Sequence, residues 1–163
     1  MSAAVVPVKR LADSKSRLLP DLSRRELEAL ALAMAEDVLA ALLATPEIDR
    51  VAVATPDARV ADAARELGAE ALLGPDPGLN EAVEGAAAKL ELAGDAPLLV
   101  VLGDVAAADP AELSQLFAEL DAMPPGPAAV MAPSRDGGTC ALLRRPHDAF
   151  PARFGRGSAA RHR

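Results

Sequence analysis

The sequence has very little aromatic surface: 2% of its 163 residues, with three Phe and no Trp or Tyr. That removes the flat faces on which single-stranded nucleic acids stack. A single cysteine, Cys140, excludes an internal disulfide, and two histidines, His147 and His162, are too sparse to suggest zinc. Positive charge is in deficit, with 17 Lys and Arg against 24 Asp and Glu, and the net −7 argues against a general binder of DNA or RNA backbones. No run approaches the roughly 20 apolar residues of a membrane-spanning helix, because the most apolar helical stretch is interrupted by Glu36 and Asp37. The N-terminal MSAAVVPVKR lacks the order of a secretory leader. With the lone cysteine, it leads to the expectation of a cytoplasmic chain with neither membrane nor nucleic acid as partner.

What is present is aliphatic. Hydrophobic residues make up 51% of the chain, 38 of them Ala, enough for helices to pack closely on a sheet in one domain spanning residues 1–163. The net charge hides a division. Residues 1–25 carry six basic and two acidic side chains, residues 135–163 seven and two, and the stretch between them four and twenty. Basic ends flank an acidic body, and if the fold brings them together they form a positive pocket for a small phosphorylated ligand. Otherwise they are solubility charges at the termini.

Hydrophobic runs and stop signals alternate in period. Residues 3–8 read as a buried strand, followed by a polar loop over 9–17. Ser23 and Glu26 form a capping box that opens a helix over 24–44. Residues 50–54 read as a strand, 58–67 as a helix stopped by Gly68, and 69–73 as a third strand. After the loop GPDPG, a helix is predicted over 79–93, then the strongest buried strand, PLLVVL, over 97–102. Asp109 and Pro110 start a helix through Leu120, and residues 128–132 and 139–143 are two further strands. Such alternation predicts an α/β domain, a mostly parallel sheet between helix layers, with ligands at the carboxyl ends of the strands. The loops after strands one, two and four then share one crevice.

Three segments there can carry chemistry. The loop PVKRLADSKSRL offers Lys9, Lys15 and Arg17 with Ser14 and Ser16, and matches neither a Walker A nor a dinucleotide loop, so a phosphate role rests on side-chain cations; a solvated basic loop is the plainer reading. Asp104, just past the central strand, is costly there unless paired or coordinating a metal, and Mg2+ suits one carboxylate plus ligand phosphates; a turn aspartate is the alternative. Gly155, Gly157 and Ser158 could form an anion-binding turn at a helix start, or belong to a frayed tail.

Taken together, PVKRLADSKSRL, GLNEAV, DGGTCALL and FGRGSAARH, in this order, resemble the guanylyltransferases of coenzyme F420 biosynthesis. The resemblance implies a Rossmann-like nucleotidyltransferase fold and transfer of GMP from GTP to phosphoenolpyruvate or 2-phospho-L-lactate. It places Lys9, Lys15 and Arg17 along the GTP phosphates, Asn80 at the nucleotide, and Thr139, Gly155 and Ser158 at the phosphorylated three-carbon acid. It makes Asp104 a Mg2+ carboxylate and, with Lys15, a catalytic residue. The chain departs from the family where Val105 to Ala108 follow Asp104 in place of an Asp-Leu-Pro type sequence, and at Cys140 and Ala159, where Asn and Phe are common. The family also continues through a further strand and an Asp-x-Asp segment, so this chain is read as C-terminally shortened, with a bare sheet edge that a second copy could cover. A catalytically silent nucleotide-binding homologue and a molybdopterin guanylyltransferase are the competing functions.

Overall fold

A computed structural model describes residues 1–14 and 21–162. Six strands, β1 (Ala3–Pro7), β2 (Arg50–Thr55), β3 (Glu70–Leu73), β4 (Leu98–Val101), β5 (Ala128–Pro133) and β6 (Thr139–Arg145), form one sheet. Its order is β3-β2-β1-β4-β6-β5. The first four are parallel, β6 runs antiparallel to β4, and β5 antiparallel to β6.

The helices start and stop where local chemistry dictates. Before α1 (Arg24–Leu43), Ser23 Oγ accepts the Glu26 N–H at 3.3 Å while Glu26 Oε2 accepts the Ser23 N–H at 2.8 Å. Asp57 caps α2 (Ala58–Leu67), which ends at Gly68 with φ of 94°, a left-handed turn that suits a residue without Cβ. Asp109 caps α4 (Pro110–Asp121), whose first residue needs no amide partner. Strand alternation then decides the layers. Ala4 and Val6 of β1 face α1, α2 and α4, whereas Ala3 and Val5 face α3 (Leu79–Lys89) and the segment around Ala152 and Phe154. Each fully buried Val or Leu in these layers contributes roughly 1.5–3 kcal/mol. Among the described residues no helix is long and apolar enough to cross a membrane.

Two boundaries differ from expectation. The third helix stops at Lys89, short of residue 93, because Leu90 and Leu92 are both buried. Two positions apart, they would lie on opposite sides of a helix, so the chain turns instead, with Glu91 at φ of 47°. The last strand runs on past Leu143 through Arg145, because Arg144 is itself buried and paired. An alternation reading stops at the first charge.

Candidate active site

Strand order reverses between β1 and β4, where the chain leaves in opposite directions, and a cavity of about 720 Å³ opens at the carboxyl ends of the parallel strands there. Lys9 after β1, Thr55 at the end of β2, and Gly103 and Asp104 after β4 all line it. These are the three loops the sequence places on one crevice. The loop after β3, residues 74–78, lines it as well. That loop was omitted, yet β3 is parallel to β2, so the same rule includes it.

The floor is tight and the wall open. A Cβ on Gly103 would meet Val8 Cγ2 at 2.9 Å, so the loops after β1 and β4 close on each other only because residue 103 has no side chain. The first loop is pinned by Asp57, whose Oδ2 accepts the Leu11 N–H at 3.0 Å and whose Oδ1 accepts the Arg59 N–H at 3.0 Å. One carboxylate thus caps α2 and anchors the 3-10 turn Leu11–Asp13 beside Lys9. Opposite, α3 presents Ala82, Gly85, Ala86 and Lys89 at helical spacing. Small side chains there leave room for a flat ligand, and Lys89 adds a cation.

Next to the crevice, β6 begins where β4 ends: Leu102 N–H donates to the Cys140 carbonyl at 3.1 Å. The C-terminal segment folds back onto this edge. Phe154 N–H donates to Asn80 Oδ1 at 2.7 Å, and Asn80 Nδ2 to the Phe154 carbonyl at 3.4 Å. Ser158 Oγ donates to Thr139 Oγ1 at 2.9 Å, and Thr139 Oγ1 lies 3.0 Å from His162 Nδ1. Deeper, the buried Arg144 guanidinium meets Glu84 of α3 at 2.9 and 3.1 Å and also donates to the Phe150 carbonyl. Glu84 Oε1 accepts the Ala152 N–H at 2.7 Å. Burial pushes the Glu84 carboxyl up, but the hydrogen bonds from Arg144 and Ala152 outweigh it and hold the group below its ordinary value.

Comparison with known proteins decides which chemistry this edge belongs to. The guanylyl transferase CofC-like family matches residues 2–163. The chain belongs to that family. A phosphoenolpyruvate guanylyltransferase of Sphaerobacter thermophilus is 41% identical over 98% of this chain and 75% of its own length. One of Nocardia farcinica is 38% identical over 98% of this chain and 71% of its own. In three dimensions, a protein of Desulfovibrio desulfuricans G20 assigned as a nucleotide-diphospho-sugar transferase superposes with a TM-score of 0.71 at 18% identity, covering 92% of this chain and 66% of that one. The likeness shows the Rossmann-like nucleotidyltransferase fold.

Within this guanylyl transferase fold the residues singled out by sequence separate into groups. Lys9 and Asp104 share the crevice. Lys15 and Arg17 lie outside the described residues. Asn80 clasps the Phe154 backbone while its neighbours Leu79 and Glu81 line the crevice. Thr139 and Ser158 are buried at 3% and 0% exposure and bonded to each other, with Gly155 exposed above them at φ of 120°.

Three readings need correction. Asp104 is exposed, so its placement is not set by a desolvation cost; β4 ends at Val101, three residues before it. At the turn from Gly155 to Ser158, the helix-start amides of Ser158 and Ala159 are already taken by backbone carbonyls. Ser158 N–H goes to the Gly155 carbonyl and Ala159 N–H to the Gly137 carbonyl, both at 3.1 Å. The tail's cations do not all face the mouth either. Arg144 is spent on Glu84, Arg145 on the carbonyls of Leu120, Pro124 and Gly126, and Arg161 on those of Arg153 and Arg156. Sequence reasoning also missed Glu84 and His162, whose partners are 60 and 23 residues away.

Proposed function

We propose that this chain transfers GMP from GTP to phosphoenolpyruvate, or to the related 2-phospho-L-lactate, in coenzyme F420 biosynthesis. The observation that carries the reading is a crevice at the sheet's switch point, holding Lys9 and Asp104, in a chain of the guanylyl transferase family. A phosphate oxygen of the acid attacks the α-phosphorus of GTP, the bond from that phosphorus to the bridging oxygen breaks, and pyrophosphate leaves. No covalent enzyme intermediate is required, so rate comes from positioning and charge neutralisation.

The guanine base fits against the small-residue wall of α3, and the triphosphate runs toward Lys9, with Lys15 and Arg17 following in sequence. Phosphorylated acid lies near Thr139, Gly155 and Ser158, at the amino end of β6. Mg2+ needs few protein ligands when phosphates supply the rest, and Asp104 on the crevice wall meets that demand as one carboxylate. When bound, the ion offsets charge on the leaving pyrophosphate. Among the described residues no cluster of three or more His, Cys, Asp or Glu is placed to hold a metal.

The test is pyrophosphate release with GTP, a magnesium salt and either acid. Turnover is expected, falling by about two orders of magnitude in Asp104→Ala, the size typical when a charge-stabilising group is lost. GTP binding without turnover on either acid refutes the reading.

A further inference from the structure

The geometry points to His162 as a positioning residue that sets the donor direction of the Thr139 hydroxyl for the phosphorylated acid. This rests on the proposed guanylyltransferase reading. His162 is bonded on both ring nitrogens. Arg153 N–H donates to Nε2 at 3.0 Å, so Nε2 must carry a lone pair. In the neutral ring the single proton then sits on Nδ1, 3.0 Å from Thr139 Oγ1. Ser158 Oγ donates to the same oxygen at 2.9 Å. Both lone pairs of Thr139 Oγ1 are thereby filled, and its own hydrogen is left as a donor for a third partner.

That donor sits at the first residue of β6, next to Cys140, whose carbonyl holds the end of β4. A carboxylate or phosphate oxygen is the acceptor such a donor suits. The ring is held in place by its edge-on contact with Phe154, with centroids 5.2 Å apart and planes at 69°. Phe154 is in turn clasped by Asn80. The relay therefore connects α3, β6 and the tail through one imidazole. Burial first, then the charges of Arg161, Arg153 and Arg144, lower the ring's pKa from its ordinary value and keep it neutral at pH 7. Those three facing groups are arginines and do not titrate in that range.

Three variants separate the ring's roles. His162→Phe keeps an aromatic ring for the edge contact but neither hydrogen bond. His162→Asn places an amide N–H where Nδ1–H was. His162→Gln supplies a group at the position of Nε2 instead. Steady-state kinetics with GTP and phosphoenolpyruvate should show KM for the acid raised about tenfold in His162→Phe, the loss of one hydrogen bond, with KM for GTP and kcat unchanged. His162→Asn should recover most of that loss and His162→Gln little of it. The Nδ1–H persists when the ring is protonated, so KM for the acid should follow the same pH profile in the wild type and in His162→Asn, set by the titration of the acid itself.

Equal acid KM in the wild type and His162→Phe overturns the inference, as does a parallel rise in both KM values, which marks a merely structural role. If the wild type turns over neither acid, the guanylyltransferase reading fails instead. The relay is then judged separately by the 15N spectrum of the imidazole, where a proton on Nε2 refutes it.

Discussion

Glu84→Ala tests whether the tail is held on the fold by one ion pair. The substitution leaves the Arg144 guanidinium, which is fully buried, without its carboxylate and also removes the acceptor of the Ala152 N–H. Breaking a buried pair from one side costs roughly 3–5 kcal/mol. The Glu84 side chain is 43% exposed, so water reaches the gap and the expected loss is nearer about 2–3 kcal/mol. For a chain of this length that corresponds to a fall in Tm of roughly 4–12 °C. Adding Arg144→Met removes the stranded charge, so the double variant should be more stable than Glu84→Ala alone, with a coupling energy of at least about 1 kcal/mol. The Glu84 carboxyl has a depressed pKa in the folded chain. Its contribution is therefore fully present above the ordinary value of 4.5 and lost as pH falls through the folded value. Urea unfolding of the four proteins at pH 7 and near pH 4 measures each quantity. Additive effects of the two substitutions, or a Glu84→Ala loss below about 0.5 kcal/mol, would show that the pair does not fasten the tail.

Two further outcomes follow from the crevice. Asp57→Ala removes the cap of α2 and the anchor of Leu11 together, for a cost of about 2 kcal/mol, and should raise KM for GTP several-fold while leaving KM for the acid unchanged. An unaltered KM for GTP in a destabilised protein would mean that the loop holding Lys9 keeps its place without the anchor. Burial first, then the charges of Asp104 and Asp136, hold the Cys140 thiol above its ordinary value. Iodoacetamide should modify it more slowly than free cysteine at pH 8, and Asp104→Asn should speed the reaction. An unchanged rate in Asp104→Asn would refute the electrostatic proximity of β6 to the Asp104 side of the crevice.

Much of this architecture could be read from the chain because its signals are local. Ser23 with Glu26, Gly68, and Asp109 with Pro110 each mark a boundary through contacts a few residues long, and the structure places α1, α2 and α4 within a residue of the expected limits. Short continuous apolar runs bounded by turn residues mark the strands, and the rule that ligands gather at parallel carboxyl ends then locates the crevice. The loop after β3 escaped only because the rule was applied to three strands of the four.

What escaped for a physical reason was every interaction whose energy is long-range. Nothing near Arg144 in the sequence distinguishes it from Arg145, so both counted toward a basic tail that was to attract anions. Yet one is sequestered against a glutamate on a helix and the other caps the carbonyls at the end of α4. His162 looked like an isolated residue for the same reason. Its meaning lies in Arg153, Thr139 and Ser158, which converge only after β6 and the tail have folded onto α3. Charge counted along a chain measures attraction at a distance, whereas charge in the folded chain is first consumed by unsatisfied carbonyls and carboxylates nearby. For Arg144, Arg145 and Arg161 that local demand wins, and among the described residues the cations lining the crevice are Lys9 and Lys89.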